Sequence, residues 1–218
     1  MPTTTVTRTI VCRVASSKQG GLPTIFRILV VTWAYVVGAG GPAAAIVVQP
    51  TDEQIRAVVV KGQEVAHTHL PPDVLYPRFG EAGEQRPHGF LVTRLGSIAV
   101  MAAHMALRGL DPGPSEIAQI LKEPVMLVIA VLWGDRPSFA VESYMVLTQG
   151  ERVIKPVTVR FDGRASVERQ DHDRSVYKAK VVGAFRYEAF DPLAVTTITV
   201  FPSHGDAIQF VVDFSQIE

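Results

Sequence analysis

Apolar positions change their spacing near residue 124. Before it they recur every three or four residues; after it they alternate or run unbroken. The first pattern argues for helices and the second for strands. Ile55, Val58, Val59 and Val65 share one face at helical spacing and predict a helix over about 51–66. Thr51 is placed to cap it, Asp52 and Glu53 sit where the helix dipole favours acids, and Gln54 completes a capping box. Val58-Val59-Val60 is its weak point, because β-branched side chains lose rotamer freedom in a helix. Residues 67–88 are punctuated by Pro71, Pro72, Pro77, Gly80, Gly83 and Pro87 and read as a long loop. Gly89–Leu95 reads as a short strand. Ser97 is the expected cap of a second helix, Ile98–Arg108, which Gly109 stops. That helix is apolar nearly all round, which predicts burial in the core. Ser115–Lys122 reads as a third, short helix capped by Ser115 and ended by Pro124.

The alternating half begins with Val125–Trp133, a continuous apolar run suited to a strand buried on both faces. Phe139–Thr148 and Arg152–Phe161 are expected to pair across the Gln149-Gly150-Glu151 turn. The charged residues 162–175 read as a loop or ragged edge. Val176–Phe190 reads as one long strand with a bulge at Gly183. Val195–Phe201 and Ala207–Phe214 are expected to be joined by a turn at 202–206. Segregated helices and strands give an α+β fold. The expectation is about three N-terminal helices packed on a mainly antiparallel C-terminal sheet of about six strands. They form one domain over 46–218, with a helical part at 51–122 and a strand part at 125–217. A small immunoglobulin-like sandwich with the helices as a separate cap is the alternative; the all-apolar second helix favours one sheet with a broad surface for it.

Three stretches carry a resemblance: Thr51-Asp52-Glu53-Gln54-Ile55 with Gly62, Val92-Thr93 leading into Ser97-Ile98-Ala99, and Phe-x-Val-x-Phe-Ser-x-Ile over Phe210–Ile217. Together they resemble a group of exported bacterial proteins of unknown function. That group carries a proline after the threonine, where this chain has Arg94. The resemblance implies export and a helix-then-strand order, and it implies no activity.

Export is also what the N-terminal residues predict. Arg8, Arg13, Lys18 and Arg27 precede the uncharged run Ile28–Val37, and no acid occurs before Asp52. A basic flank followed by an apolar run reads as a secretory signal. Gly38, Gly40, Gly41 and Pro42 end the run, and Ala43-Ala44-Ala45 fits a signal-peptidase site, with cleavage after Ala45. Residues 1–45 are thus read as signal peptide, longer than the usual ~15–30 residues. Initiation at Leu22 would give a signal of ordinary length. The competing reading is an uncleaved anchor at 25–45, since residues 28–51 are all uncharged. Either way the remainder is exported, to the periplasm or the exterior.

Charge changes the picture of partners. The chain of 218 residues holds 21 Lys+Arg and 21 Asp+Glu. Four basic residues and no acids lie in 1–45, which leaves 17 basic against 21 acidic residues, net −4, in 46–218. An acidic domain is a poor partner for nucleic acid or an anionic membrane surface. A membrane partner is expected only if 25–45 stay as an anchor. The single cysteine, Cys12, precedes the apolar run, so residues 46–218 hold no disulfide, thiolate metal site or cysteine nucleophile.

Candidate chemistry is sparse. His67 and His69 sit close together, His88 lies at the far end of the same loop, and zinc would need three or four such ligands. Glu64, Asp73 or Glu84 would have to complete the set. Solvated loop histidines are the plainer reading, and no metal site or cofactor is assigned. Ser203-His204-Gly205-Asp206 holds the residue types of a hydrolase triad, but adjacency is the wrong geometry and a tight turn is expected. Asp171-His172-Asp173 reads as solvated loop. His104, between Met101 and Met105, reads as a hydrogen-bonded core residue. Trp133 reads as a core or rim anchor; a sugar platform would need Tyr144 or Tyr177 on the same exposed face. Nucleophile-elbow, metalloprotease and phosphate-loop motifs are absent. The expected function is a non-enzymatic exported domain that binds a protein or cell-envelope component. The alternative is a metal-dependent or other hydrolase with its site on the 67–88 loop.

Overall fold

The computed structural model describes residues 45–68, 70–81, 83–170 and 175–217, which fall in one compact unit. The expected signal and anchor lie outside these residues but for Ala45. Among the described residues no helix is long and apolar enough to cross a membrane.

Among the described residues three α-helices and ten strands make an α+β fold with two antiparallel sheets. Helix α1 (Asp52–His67) begins at the capping box: the Thr51 hydroxyl accepts from the Gln54 N–H at 3.3 Å, and the Gln54 side chain accepts from the Thr51 N–H at 2.9 Å. A single turn of tight helix (Pro72–Leu75) and strand β1 (Arg78–Gly80) divide the stretch expected to be loop. Strand β2 (His88–Val92) runs into helix α2 (Arg94–Ala106). The cap is Thr93, whose hydroxyl accepts from the Gly96 N–H at 3.1 Å, not Ser97. Position 93 lies at the strand end with extended backbone, so it reaches the orphan donors one turn before Ser97 can. Helix α3 (Pro114–Lys122) has Gly113 at its cap, and Pro114 rather than Ser115 opens it. Proline fits there because its missing N–H would have had no partner.

The larger sheet orders β1, β2, β3 (Val125–Gly134), β8 (Ser175–Arg186) and β6 (Thr158–Phe161), with β7 (Ser166–Gln170) also pairing β8. The smaller orders β10 (Ile208–Asp213), β9 (Val195–Phe201), β4 (Tyr144–Gln149) and β5 (Arg152–Ile154). Even-numbered residues of β3 (Met126, Val128, Ala130, Leu132) and odd ones of β8 (Ala179, Val181, Phe185) share one hydrophobic cluster with Met145, Leu147, Ile198, Val200, Phe210 and Val212 of the smaller sheet. The core therefore lies between the two sheets, as in a sandwich.

This corrects the expectation of one sheet of about six strands. The run 152–161 is split at Pro156, which cannot donate to a ladder. Residues before it pair β4 in one sheet, and those after it pair β8 in the other. The 162–175 segment contributes β7, and the bulge falls there, between Val167 and Arg169; pairing passes through Gly183 opposite Val128 without a break. Gly183 serves packing instead, since a β-carbon there would lie 2.8 Å from the Phe185 ring. Helix α2 buries one stripe, Ile98, Ala99, Ala102 and Ala103, and leaves His104 exposed, which corrects its reading as a core residue. The partner for the stripe is α1: Gly62 lies so close to the Ala99 carbonyl that an added β-carbon would be 2.2 Å from it.

Candidate ligand-binding face

The outer face of the larger sheet follows from pairing alone. Residues opposite one another on neighbouring strands stand side by side on the same face. Phe90 pairs Ile129, Ile129 pairs Val182, and Val182 pairs Arg160, making one row across four strands. The next row is Val92, Leu127, Ala184 and Thr158. On the other side lie His88, Val131 and Lys180, and beyond them Trp133, Lys178 and Ser166. The centre of this face is apolar, and the β8–β6 side carries cations.

The helical layer packs against β2. Tyr76 stacks on Phe90 with ring centres 5.8 Å apart. The rest is a groove in two connected hollows. One, of about 300 Å³, lies between Ile120 of α3, Leu127 and Arg160. The second, of about 370 Å³, is floored by Leu127, Ile129 and Val182 and rimmed by Arg160, Phe161, Asp162 and Lys180. Leu127 and Arg160 line both. Among the described residues neither Arg160 nor Lys180 has an ion-pair partner, whereas Lys178 lies 3.6 Å from Glu168. Asp162 is close by, but its carboxylate accepts the backbone N–H of Lys180 at 2.8 Å.

Arg94 holds the helical layer at one end of the groove. Its guanidinium donates to the Glu123 carbonyl at 2.8 and 3.2 Å, donates to the Val48 carbonyl, and lies 4.6 Å from the Tyr187 ring centre. The Tyr187 hydroxyl accepts the Arg94 backbone N–H at 3.0 Å, filling one orphan donor of the α2 N-terminus. Burial raises the pKa of this phenol, and the Arg94 N–H and charge partly offset the rise. Burial also raises that of Tyr76, with a hydrogen bond to Ser97 opposing it.

At the far end of the face Trp133 is flanked by His88, with ring centres 5.3 Å apart, and by the Lys178 ammonium at 5.6 Å. Its indole N–H is buried without an acceptor among the described residues. Neither tyrosine required for a sugar platform accompanies it: Tyr144 is on the smaller sheet, and Tyr177 is packed against the core cluster.

The histidine candidates are dispersed. His67 is exposed in the last turn of α1, His88 sits on β2 against Trp133 with Nδ1 3.0 Å from the Arg86 carbonyl, and His69 lies outside the described residues. Among the described residues no group of three or more His, Cys, Asp or Glu could hold a metal ion. Ser203 and His204 line a hollow of about 610 Å³ with Trp133 and Arg136. There the Ser203 hydroxyl donates to the Phe139 carbonyl at 3.1 Å, and the His204 backbone N–H does so at 3.4 Å. Those bonds pin a turn whose Gly205 has φ +103°. Asp171-His172-Asp173 lies outside the described residues.

Sequence reasoning missed Arg160, Lys180 and the face they rim. A signal was present: in β8, Lys178 and Lys180 alternate with Tyr177, Ala179 and Val181, the period of a strand with one core face. No protein-family model matches the chain, and comparison with curated proteins gives no match.

Proposed function

We propose that the chain is an exported, non-enzymatic binding domain of the cell envelope, and that the outer face of the larger sheet is its ligand surface. The observation that carries this reading is the open hollow floored by the part-buried Leu127, Ile129 and Val182, beside Arg160 and Lys180, which have no ion-pair partner among the described residues, on a stretch 46–218 whose net charge is −4. A cationic rim on an acidic domain is local, so it favours an anionic ligand at that place. Apolar surface left open and framed by polar groups is the usual mark of an interaction site. Export rests on the N-terminal pattern.

Photo-crosslinking in a bacterial host tests both parts. A photoreactive residue is placed at Ile129 or, as control, at Val211, which is 74% exposed on the smaller sheet. The expected outcome is an exported product beginning at Ile46 or retaining 25–45 as an anchor, with adducts formed from 129 and not from 211. Retention in the cytoplasm removes the export reading. Adducts formed equally from both positions, or from neither, remove the face.

A further inference from the structure

We infer that the face takes a single acyl chain with an anionic head group; this rests on the face being the ligand surface proposed above. The floor supplies the first reason. Leu127, Ile129, Val182 and Ala184 offer no donor or acceptor, and the strands beneath them, β3 and β8, are paired on both sides, so no backbone groups are free. A peptide laid across this floor would desolvate its amides without replacing their hydrogen bonds, which is costly. An alkyl chain carries no such groups and gains from every apolar contact.

The rim supplies the second. Arg160 stands at the junction of the two hollows and Lys180 at the edge of the second. A chain lying across Ile129 and Val182 brings its end to Arg160, the next residue of that row, where a guanidinium can grip an anionic head with two parallel bonds. Ile120 and Glu123 of α3 and Tyr187 line the first hollow, and Lys180 lines the second. A linear ligand therefore enters with its tail toward Ile120 and its head toward Arg160 and Lys180.

The test uses the full chain with ¹³C-labelled Ile, Leu and Val methyls and two probes of equal tail length, dodecanoate and dodecyltrimethylammonium, both below their micellar concentrations. Dodecanoate is expected to shift the Ile129, Leu127 and Val182 methyls saturably and to leave Val211 unmoved. The trimethylammonium probe is expected to bind at least about tenfold more weakly, a difference of one charged contact. Arg160→Glu with Lys180→Glu should weaken dodecanoate by a similar factor while the methyl spectrum stays that of a folded protein. Equal affinity for the two head groups overturns the inference, and so do shifts no larger at Ile129 than at Val211. The two-probe comparison needs no variant, so a poorly folded double substitution does not blunt it. A protein adduct at Ile129 without dodecanoate binding overturns the acyl ligand and leaves the binding face standing. Failure of both experiments overturns both.

Discussion

Arg94 joins three segments that are distant in sequence: the N-terminal strap at Val48, the start of α2, and the end of α3 at Glu123. In the sequence it registered only as a departure from a motif, because its partners are backbone carbonyls and leave no pattern of residue types. Arg94→Ala is expected to lower stability by about 1.5–3 kcal/mol, the worth of hydrogen bonds to a charged group. At about 2–4 °C per kcal/mol for a domain of this size, calorimetry should record a Tm loss of several degrees. Lysine should not restore it, since a single ammonium cannot reproduce the fork and the stacking on Tyr187. A Tm unchanged in Arg94→Ala would show the strap to be held by other contacts. Tyr187 adds a pH signature. Its pKa is raised in the folded state, so above the unfolded value near 10 the unfolded chain releases a proton that the folded chain keeps. Stability from this group is complete below about pH 10 and declines as pH rises through the folded pKa. Denaturant midpoints measured between pH 9 and pH 11 should fall less in Tyr187→Phe than in the parent, and Tyr76, raised in the same direction, contributes to the slope that is left.

At the scale of elements, type and order were legible where a local pattern decided them, and boundaries were not where a distant contact did. The α1 capping box was readable because it is complete within four consecutive residues, and β9 was readable because its apolar residues lie between clear turns. The assignment of 152–161 to one strand failed because pairing partners are not encoded in alternation: both sides of Pro156 alternate, yet each joins a different sheet. The burial of α2 was half right. Its apolar surface exceeded what one neighbour can cover, so a stripe is buried on α1 while Leu107 stays 54% exposed. Gly62 makes that contact possible. Replacing a helix-interior glycine by alanine ordinarily favours the helix by ~1 kcal/mol. Here the added methyl would meet the Ala99 carbonyl at 2.2 Å and the Ala102 β-carbon at 2.9 Å, so Gly62→Ala should instead destabilise by about 1–3 kcal/mol through overpacking. A rise in Tm on this substitution would mean that the two helices separate at little cost. Glycine in an exposed-looking helical pattern was the only trace of this in the sequence.

For the whole molecule, the face was invisible to sequence because its rows are cross-strand. Phe90, Ile129, Val182 and Arg160 come from four strands, and only register brings them together. The terminal motif has the opposite character. Phe210, Val212, Phe214 and Ile217 are all buried, so its spacing records packing into the sandwich and not a ligand site. That same packing fixes where the folded domain takes hold of the N-terminal strap. Ile46 is 2% exposed within the core cluster, and its N–H is bonded to Phe214, whose ring lies 5.6 Å from that of Phe190. A chain beginning at Ile46 keeps this side chain, whereas one beginning at Gln49 loses it together with the Val48 carbonyl that Arg94 grips. Burial of an isoleucine contributes about 1.5–3 kcal/mol, and the lost charged hydrogen bond adds about 1.5–3 kcal/mol. Thermal unfolding should therefore place the Gln49 form well below both the Ile46 form and the full chain, by roughly ten degrees if the two terms add. Equal melting of all three would mean that the strap contributes nothing to the fold. A loss already present in the Ile46 form would place the needed contacts before the expected cleavage point and argue against cutting there.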